Sequence, residues 1–93
     1  MAEDLELGVR HNASRHRYEL DAGGGTAIAE YYERNGARIF THTEVPRQSE
    51  GRGVGRKLVH AALADTKRAG LKIVPACSFV VAFVAHHPEY RTS

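Results

Sequence analysis

Glycines at positions 51, 53 and 55 alternate with Glu50, Arg52, Val54 and Arg56, and the segment runs directly into an amphipathic helical pattern. Gly51, Gly53 and Gly55 permit positive φ angles and a close approach of a ligand to the backbone. Unpaired amides at the start of a helix, together with the positive end of the helix dipole, favour a bound phosphate or pyrophosphate. The spacing therefore predicts an anion-binding loop, and a flexible connector that caps the helix is the alternative.

The residues of this loop do not fit two common phosphate-binding motifs. The segment lacks the Lys-Ser or Lys-Thr ending of a Walker loop. Although Gly51-Arg52-Gly53 opens like a dinucleotide fingerprint, the third glycine comes too early and no βαβ unit follows at that spacing. Neither a Walker loop nor a dinucleotide-binding turn is therefore predicted.

Two other side chains have chemistry that group transfer uses. His42 lies shortly before the loop, and an imidazole, which exchanges protons near neutral pH, can accept the proton of an attacking group. Cys77 lies between a strand pattern and a helix pattern, where the helix dipole favours a thiolate nucleophile. The structural alternatives are a histidine bonded to the sheet or to solvent and a cysteine that packs as a small hydrophobe.

The histidines near the end of the sequence do not predict a metal site. His86 and His87 are adjacent and point in different directions, and with Glu89 they lack a third ligand at a standard zinc spacing. Tyr90 follows Pro88, and we expect it to pack against the core.

Three strands are predicted before the loop, over residues 14–20, 26–33 and 37–45. The second and third strands are joined by Asn35-Gly36, a strong hairpin signal. Strict alternation in the third strand predicts one face with Ile39, Thr41, Thr43 and Val45 and another with Phe40, His42 and Glu44.

After the loop, the pattern predicts a helix, a strand and a second helix. Apolar residues recur at helical spacing from Leu58 to Ala69, and Gly70 suits the helix C-terminus. Residues 71–76 are predicted to form a strand that pairs in parallel with an earlier one, and residues 78–86 are predicted to form an apolar helix. The predicted fold class is therefore α+β, a mixed sheet of antiparallel strands followed by helix, strand and helix. We expect a single domain over residues 1–93 with a flexible tail at residues 1–7.

Length and composition set further limits. The 93 residues allow one modest core, and a net charge of +2 with interspersed acidic residues does not predict a nucleic-acid partner. The sequence has no apolar run near the roughly 20 residues of a membrane span and no signal-peptide pattern at its start. The single cysteine fits a reducing compartment. We expect a cytoplasmic protein with no membrane partner.

Three motifs occur in a defined order over most of the chain. They are His42-Thr43-Glu44-Val45-Pro46, Glu50-Gly51-Arg52-Gly53-Val54-Gly55 at the start of a helix, and Pro75-Ala76-Cys77-Ser78-Phe79 followed by His87-Pro88-Glu89-Tyr90. In this order they resemble the GNAT acetyltransferase superfamily, specifically its minimal branch of very small GNAT-like proteins of the YjdJ type. The resemblance implies a minimal GNAT-like fold that lacks the C-terminal strands of larger members.

The resemblance also implies a coenzyme A site. The loop would hold the pyrophosphate through backbone amides, and the strand before it would align the pantetheine arm. The implied cofactor-binding residues are Thr43, Glu44, Val45, Gly51, Arg52, Gly53, Val54, Gly55 and Arg56. His42 is the implied proton acceptor and Cys77 lies near the acetyl group, with an acetyl-cysteine relay as the alternative to direct transfer. Glu50 departs from the usual Gln or Arg of the superfamily, and we expect it to weaken anion binding.

The implied function is acetyl-CoA-dependent transfer of an acetyl group to an amine, with acetyl-CoA as co-substrate and no metal. Since the sequence stops after the second helix, we expect an open acceptor site in a monomer or a weak homodimer. Such a site suits a polyamine or an exposed protein amine. A coenzyme A or acyl-CoA binding module with a regulatory role is the second hypothesis, and a nucleotide or nucleic-acid binder is the third.

Overall fold

The computed structural model describes residues 3–4 and 8–91, which form one mixed sheet and two helices. The strands of these residues lie in the sheet in chain order: β1 (Glu3–Asp4), β2 (Arg10–Asn12), β3 (Arg17–Asp21), β4 (Thr26–Arg34), β5 (Ala37–Glu44) and β6 (Lys72–Pro75). Neighbours from β1 to β5 pair antiparallel, and β6 pairs parallel with β5. The helices are α1 (Val54–Arg68), between β5 and β6, and α2 (Ser78–His86), after β6. The predicted α+β fold with a mixed sheet is confirmed.

β4 and β5 form the hairpin predicted from Asn35-Gly36. Both residues have positive φ angles, 53° for Asn35 and 78° for Gly36, as in the primed turns that match the twist of two antiparallel strands. A ladder of registered pairs extends from Arg34 and Ala37 at the turn to the end of β5. The local turn residues therefore set the register of this pair of strands.

A β-bulge in β5 changes the face on which its residues lie. Glu30 and Tyr31, which are consecutive in β4, pair with His42 and Phe40 of β5. Thr41 is therefore left as an extra residue in β5. Phe40 and Thr43 therefore lie on the face towards the helices, and His42 lies on the opposite face. The predicted strict alternation, which put Phe40 and His42 together, is wrong because an inserted residue reverses the alternation beyond it.

The N-terminal end of the sheet also departs from the prediction. Residues 13–15 form a 3-10 turn where the alternation predicts a strand, and β3 begins at Arg17. His16 between them has a positive φ of 54°, which breaks the extended backbone. Of the predicted tail at residues 1–7, Glu3–Asp4 form β1 and pair with β2, and the rest lies outside the described residues.

The core lies between the sheet and both helices. α1 buries the face predicted from its spacing, and Gly70, with a φ of 76°, follows its end as a helix C-terminus requires. The large core side chains are Tyr18, Leu20, Tyr31 and Phe40 from the sheet, Leu58, Val59 and Leu63 from α1, and Val80, Phe83 and Val84 from α2. Neither α1 nor α2, the helices of the described part of the chain, is long and apolar enough to cross a bilayer.

A buried polar network joins α1 to the sheet. The Tyr18 hydroxyl donates to Asp65 Oδ2 of α1 at 2.7 Å and accepts from Arg38 Nη1 at 2.5 Å. Arg38 Nη2 lies 2.6 Å from Glu33 Oε2, so its charge is compensated on the sheet as well. Among the described residues no buried side-chain polar atom lacks a partner, which is the condition under which such groups can be buried without a large penalty.

His11 extends this network towards β2. Its ring stacks on Tyr18 at 4.3 Å, and its Nε2 lies 2.5 Å from the Tyr31 hydroxyl. Its Nδ1 lies 3.5 Å from Asp65 Oδ2. The sequence offers no sign of this role, since β2 is too short to show a period and a solvated His11 is the default expectation.

We expect Tyr18→Phe to lower the free energy of unfolding at neutral pH by about 1–3 kcal/mol, because Arg38 and Asp65 lose a buried partner. Burial, and the hydrogen bond to Asp65, raise the pKa of Tyr18 above its ordinary value. A raised pKa in the folded state means that this hydroxyl stabilises the fold below its unfolded pKa of about 10 and loses that effect as the pH rises further. Urea unfolding at pH 7 and above pH 10 should therefore show a steeper alkaline loss for the wild type than for Tyr18→Phe.

Tyr32→Phe is the matched control, because this tyrosine is 49% exposed on the opposite face of the sheet. It should leave both the neutral stability and the alkaline slope unchanged. Parallel pH profiles for the wild type and Tyr18→Phe would contradict the assignment.

Candidate functional site

An open groove of about 460 Å³ lies between the end of β5, the glycine segment and the start of α2. We call it the loop groove. It is lined by these residues of the predicted cofactor site: Thr43, Val45, Gly51, Gly53, Val54, Gly55 and Arg56. Glu44 and Arg52, the other two members of that prediction, do not line it. Ser49, Glu50 and Phe79 line it without having been predicted as site residues.

The glycine segment exposes the start of α1 to this groove. Gly51 and Gly53 have φ angles of 84° and 76°, a conformation that glycine adopts without the steric cost paid by other residues. Gly53 precedes the helix, no side chain caps it, and the first turn contains no acidic residue. The first amides of α1 have no acceptor within the helix, so the positive end of the helix dipole faces the groove.

The loop is held in place by the turn between β3 and β4. Ser49, which is buried, donates a hydrogen bond from Oγ to the Ala22 carbonyl oxygen at 2.5 Å. A Cβ atom on Gly24 would lie 2.7 Å from Gln48, and one on Gly25 would lie 3.2 Å from Pro46. The glycines after β3 therefore make room for the loop.

Gly55 has a different role from the two glycines before it. It lies inside α1, and a Cβ there would come within 2.7 Å of the Phe79 ring and 3.3 Å of a Val45 methyl group. Its lack of a side chain lets α2 approach the start of α1. Phe79 remains 39% exposed and forms one wall of the groove, so α2 contributes to a ligand-accessible surface as well as to the core.

The groove continues along an open edge of β5. Registered pairing with β6 ends at Phe40 and Pro75, after which the Phe40 carbonyl accepts from the Ala76 amide at 2.9 Å. β5 runs on to Glu44, so over residues 41–44 the edge towards β6 has no strand partner among the described residues. Thr43 Oγ1 lies 3.4 Å from the half-buried Cys77 Sγ. Cys77 thus lies beside this edge, at the start of α2.

The two predicted catalytic residues lie apart. The His42 side chain is 53% exposed on the face away from the helices, and its Nε2 lies 3.8 Å from Glu44 Oε2. His42 does not line the loop groove, whereas Cys77 contacts the groove residue Thr43. Both catalytic assignments stay predictions.

The C-terminal aromatic and histidine residues have structural contacts. Tyr90 is buried, and its hydroxyl lies 3.2 Å from His60 Nδ1. His87 Nδ1 lies 2.9 Å from the Phe83 carbonyl oxygen. No group of three or more His, Cys, Asp or Glu side chains suited to a metal ion occurs in the part of the chain that the structure describes.

A comparison with models of protein families identifies the family to which the chain belongs. No curated protein matches the chain at a significant level. The model of a family described as GCN5-related N-acetyl-transferase matches residues 17–93. The matched segment contains β3 to β6, both helices, the loop groove and Cys77. The chain belongs to the GCN5-related N-acetyltransferase family.

Proposed function

We propose that this protein is an acetyl-CoA-dependent N-acetyltransferase that moves an acetyl group to an amine at an open site. The observation that carries the proposal is the continuity of the loop groove. An uncapped helix start at Gly53 leads to the open edge of β5, and that edge leads to Thr43 and Cys77. An anionic group attached to an extended amide-containing arm that ends in a thioester matches this order of features.

The pyrophosphate of coenzyme A would bind at the glycine segment. The first amides of α1 can donate to its oxygens, and the helix dipole favours its charge. Arg56 Nη2 lies 3.7 Å from the point where a Cβ on Gly53 would stand, so the guanidinium lies over the loop. It can add a charge-assisted hydrogen bond to the same anion.

The pantetheine arm would follow the edge of β5. Its amide groups can pair with the unpartnered backbone of residues 41–44, in the manner of a short added strand. Val45 and Phe79 supply apolar surface beside this path. The arm would then present its thioester near Thr43 and Cys77.

The transfer step needs a neutral amine, a proton acceptor and donors for the oxyanion. The amine attacks the thioester carbonyl carbon, a C–N bond forms, and the C–S bond breaks. Coenzyme A leaves as a thiolate, which takes up a proton, while the amine gives one up. Backbone amides of the open edge and the Thr43 hydroxyl are the proposed oxyanion donors. We propose His42 as the proton acceptor, reached through solvent because its imidazole is exposed.

The acceptor proposed for this site is a cationic amine in a polyamine or on a protein surface. Glu44 ends β5 and is exposed, so its carboxylate can attract a positively charged acceptor before the amine loses its proton. The groove is open to solvent, which suits an acceptor that is not enclosed.

The direct test is to incubate the purified protein with acetyl-CoA and a panel of amines, spermidine and lysine-containing peptides among them. We expect acetyl-CoA to raise the melting temperature, since it binds the folded state, and coenzyme A to be released with an acetylated amine. Absence of both binding and transfer would refute the proposal.

We expect Glu50→Gln to bind acetyl-CoA about fivefold more tightly, because a carboxylate near the diphosphate costs about 1 kcal/mol at a solvated surface. Isothermal titration calorimetry at low ionic strength measures the change. Glu89→Gln removes the same charge from an exposed position that does not line the groove, and it should leave the affinity unchanged. Equal affinities for the two variants would show that Glu50 does not face the bound anion.

Direct attack of the amine requires no protein nucleophile, so we expect mass spectrometry after exposure to acetyl-CoA to find no acetyl group on Cys77. Cys77→Ser should then retain transfer, because serine keeps a polar side chain next to Thr43. An acetylated Cys77, together with loss of turnover in Cys77→Ser, would instead establish a covalent relay.

A coenzyme A binding module with little or no turnover is the second candidate. The position of His42 favours it. His42 lies outside the loop groove, where the charged lining residues are Glu50 and Arg56. This candidate predicts thermal stabilisation by acetyl-CoA with no acetylated amine, and no effect of His42→Ala on either. Loss of turnover in His42→Ala with unchanged acetyl-CoA affinity would exclude it.

A further inference from the structure

Both helices pack on one face of the sheet. α1 and α2 meet where the Phe79 ring approaches Gly55, and both contribute to the one core that the sheet buries. Among the described residues no helix covers the opposite face, which we call the outer face. The free face of a sheet that is covered on one side is ordinarily polar. Apolar side chains that lie together on the outer face therefore need an explanation.

Three apolar side chains lie side by side across the outer face. Tyr32 of β4 pairs with Ile39 of β5, and Ile39 pairs with Val74 of β6. Tyr32 is 49% exposed, Val74 is 39% exposed, and Ile39 between them is half-buried. We call these three residues the outer stripe. Single apolar residues are common on protein surfaces, whereas a contiguous row across three strands is typical of an interaction surface.

The outer stripe has an acidic border on one side and a basic border on the other. Along β4, Glu30 lies two residues before Tyr32 and Arg34 lies two residues after it, so both share its face at about 7 Å from it. Lys72 adds a second cation on the side of Arg34, because Ala37 pairs with both residues. None of these three charged side chains takes part in the ion pairs found between described residues. Both borders can therefore pair with opposite charges on another molecule.

This pattern is complementary to itself under one two-fold rotation. When the axis runs along the outer stripe and the outer faces of two copies meet, the rotation lays stripe on stripe and exchanges the two borders. Glu30 then faces Arg34 of the partner subunit, and the same contact occurs twice. An axis parallel to the strands would instead bring Arg34 against Arg34 of the partner subunit, which repels. The charges therefore favour the first arrangement.

We propose that the outer stripe is the contact surface of a symmetric homodimer whose two-fold axis runs along the stripe. The two sheets pack face to face about 10 Å apart, as in a β-sandwich, and two ion pairs between Glu30 and Arg34 border the apolar contact. Three apolar side chains from each copy form a small interface, so the dimer is weak and dissociates on dilution. A partner of one charge sign would match only one of the two borders.

The homodimer leaves the proposed acyl-donor site accessible. The three residues of the outer stripe do not line the loop groove, and the helices that form this groove pack on the other face of the sheet. Dimerisation and acetyl-CoA binding are therefore separate properties, and the absence of one would leave the other intact.

Sedimentation equilibrium at rising protein concentration, with Val74→Glu and Val81→Glu beside the wild type, tests the contact surface. Val81 is the matched control, because it is 51% exposed on α2 and lies outside the outer stripe. We expect the wild type to pass from monomer to dimer and Val81→Glu to dimerise as the wild type does. Val74→Glu should raise the dissociation constant about tenfold or more, because two carboxylates enter the apolar contact.

Charge reversal tests the axis with variants that keep the apolar residues. Glu30→Lys and Arg34→Glu each turn two attractive contacts of the dimer into repulsive ones, so each should weaken it several-fold. The variant that carries both substitutions restores the two ion pairs with their charges exchanged, and it should dimerise about as well as the wild type. Within one chain the two positions are four residues apart on one strand, about 13 Å, so a contact inside the monomer does not explain such a rescue.

A wild type that stays monomeric at every concentration would overturn the proposal. Equal dimerisation of the two glutamate variants would overturn it as well, because the contact would then lie elsewhere on the molecule. If the double charge reversal fails to recover the dimer, the proposed axis along the outer stripe is wrong.

Discussion

The Tyr18 hydroxyl lies between Arg38 of β5 and Asp65 of α1, and hydrogen bonds to both fasten the helix to the sheet. A buried guanidinium and a nearby carboxylate are costly unless each has a partner, so this network favours one orientation of α1 over others. The orientation matters at the far end of the helix, where α1 begins. Because a helix is a rigid element, holding its C-terminal half on the sheet also directs the amides after Gly53 into the loop groove.

Two local features together determine how the end of β5 faces the loop groove. The bulge at Thr41 turns Thr43 towards the helices, and the departure of β6 after Pro75 leaves the adjacent backbone without a strand partner. Without the bulge, Thr43 would face away from Cys77. Without the departure, the backbone beside the groove would be paired within the sheet. The proposed path for an extended ligand arm depends on both.

Much of the fold follows from local sequence. Asn35-Gly36 predicts the hairpin because both residues tolerate positive φ, and the spacing from Leu58 onwards predicts α1 because its apolar side chains must share one face. β2 and the role of His11 do not follow, because three residues are too few to show a period and their stability comes from contacts with β3 and β4. From the sequence, the glycines after β3 indicate only the end of a strand. Their contact with the segment that holds the loop depends on residues more than 20 positions later.

The positive φ angles of Gly51 and Gly53 and the free amides at the start of α1 could be predicted from the sequence alone, because they are properties of a few consecutive residues. The order of the motifs likewise indicated the acetyltransferase family, and the family model confirms it. Only the tertiary structure decided which side chains meet. It brings Cys77 to Thr43 and Phe79 to Gly55, and it leaves His42 on the other face. The physical reason is that one extra residue in a strand reverses every side chain beyond it, and strict alternation does not indicate where that residue lies.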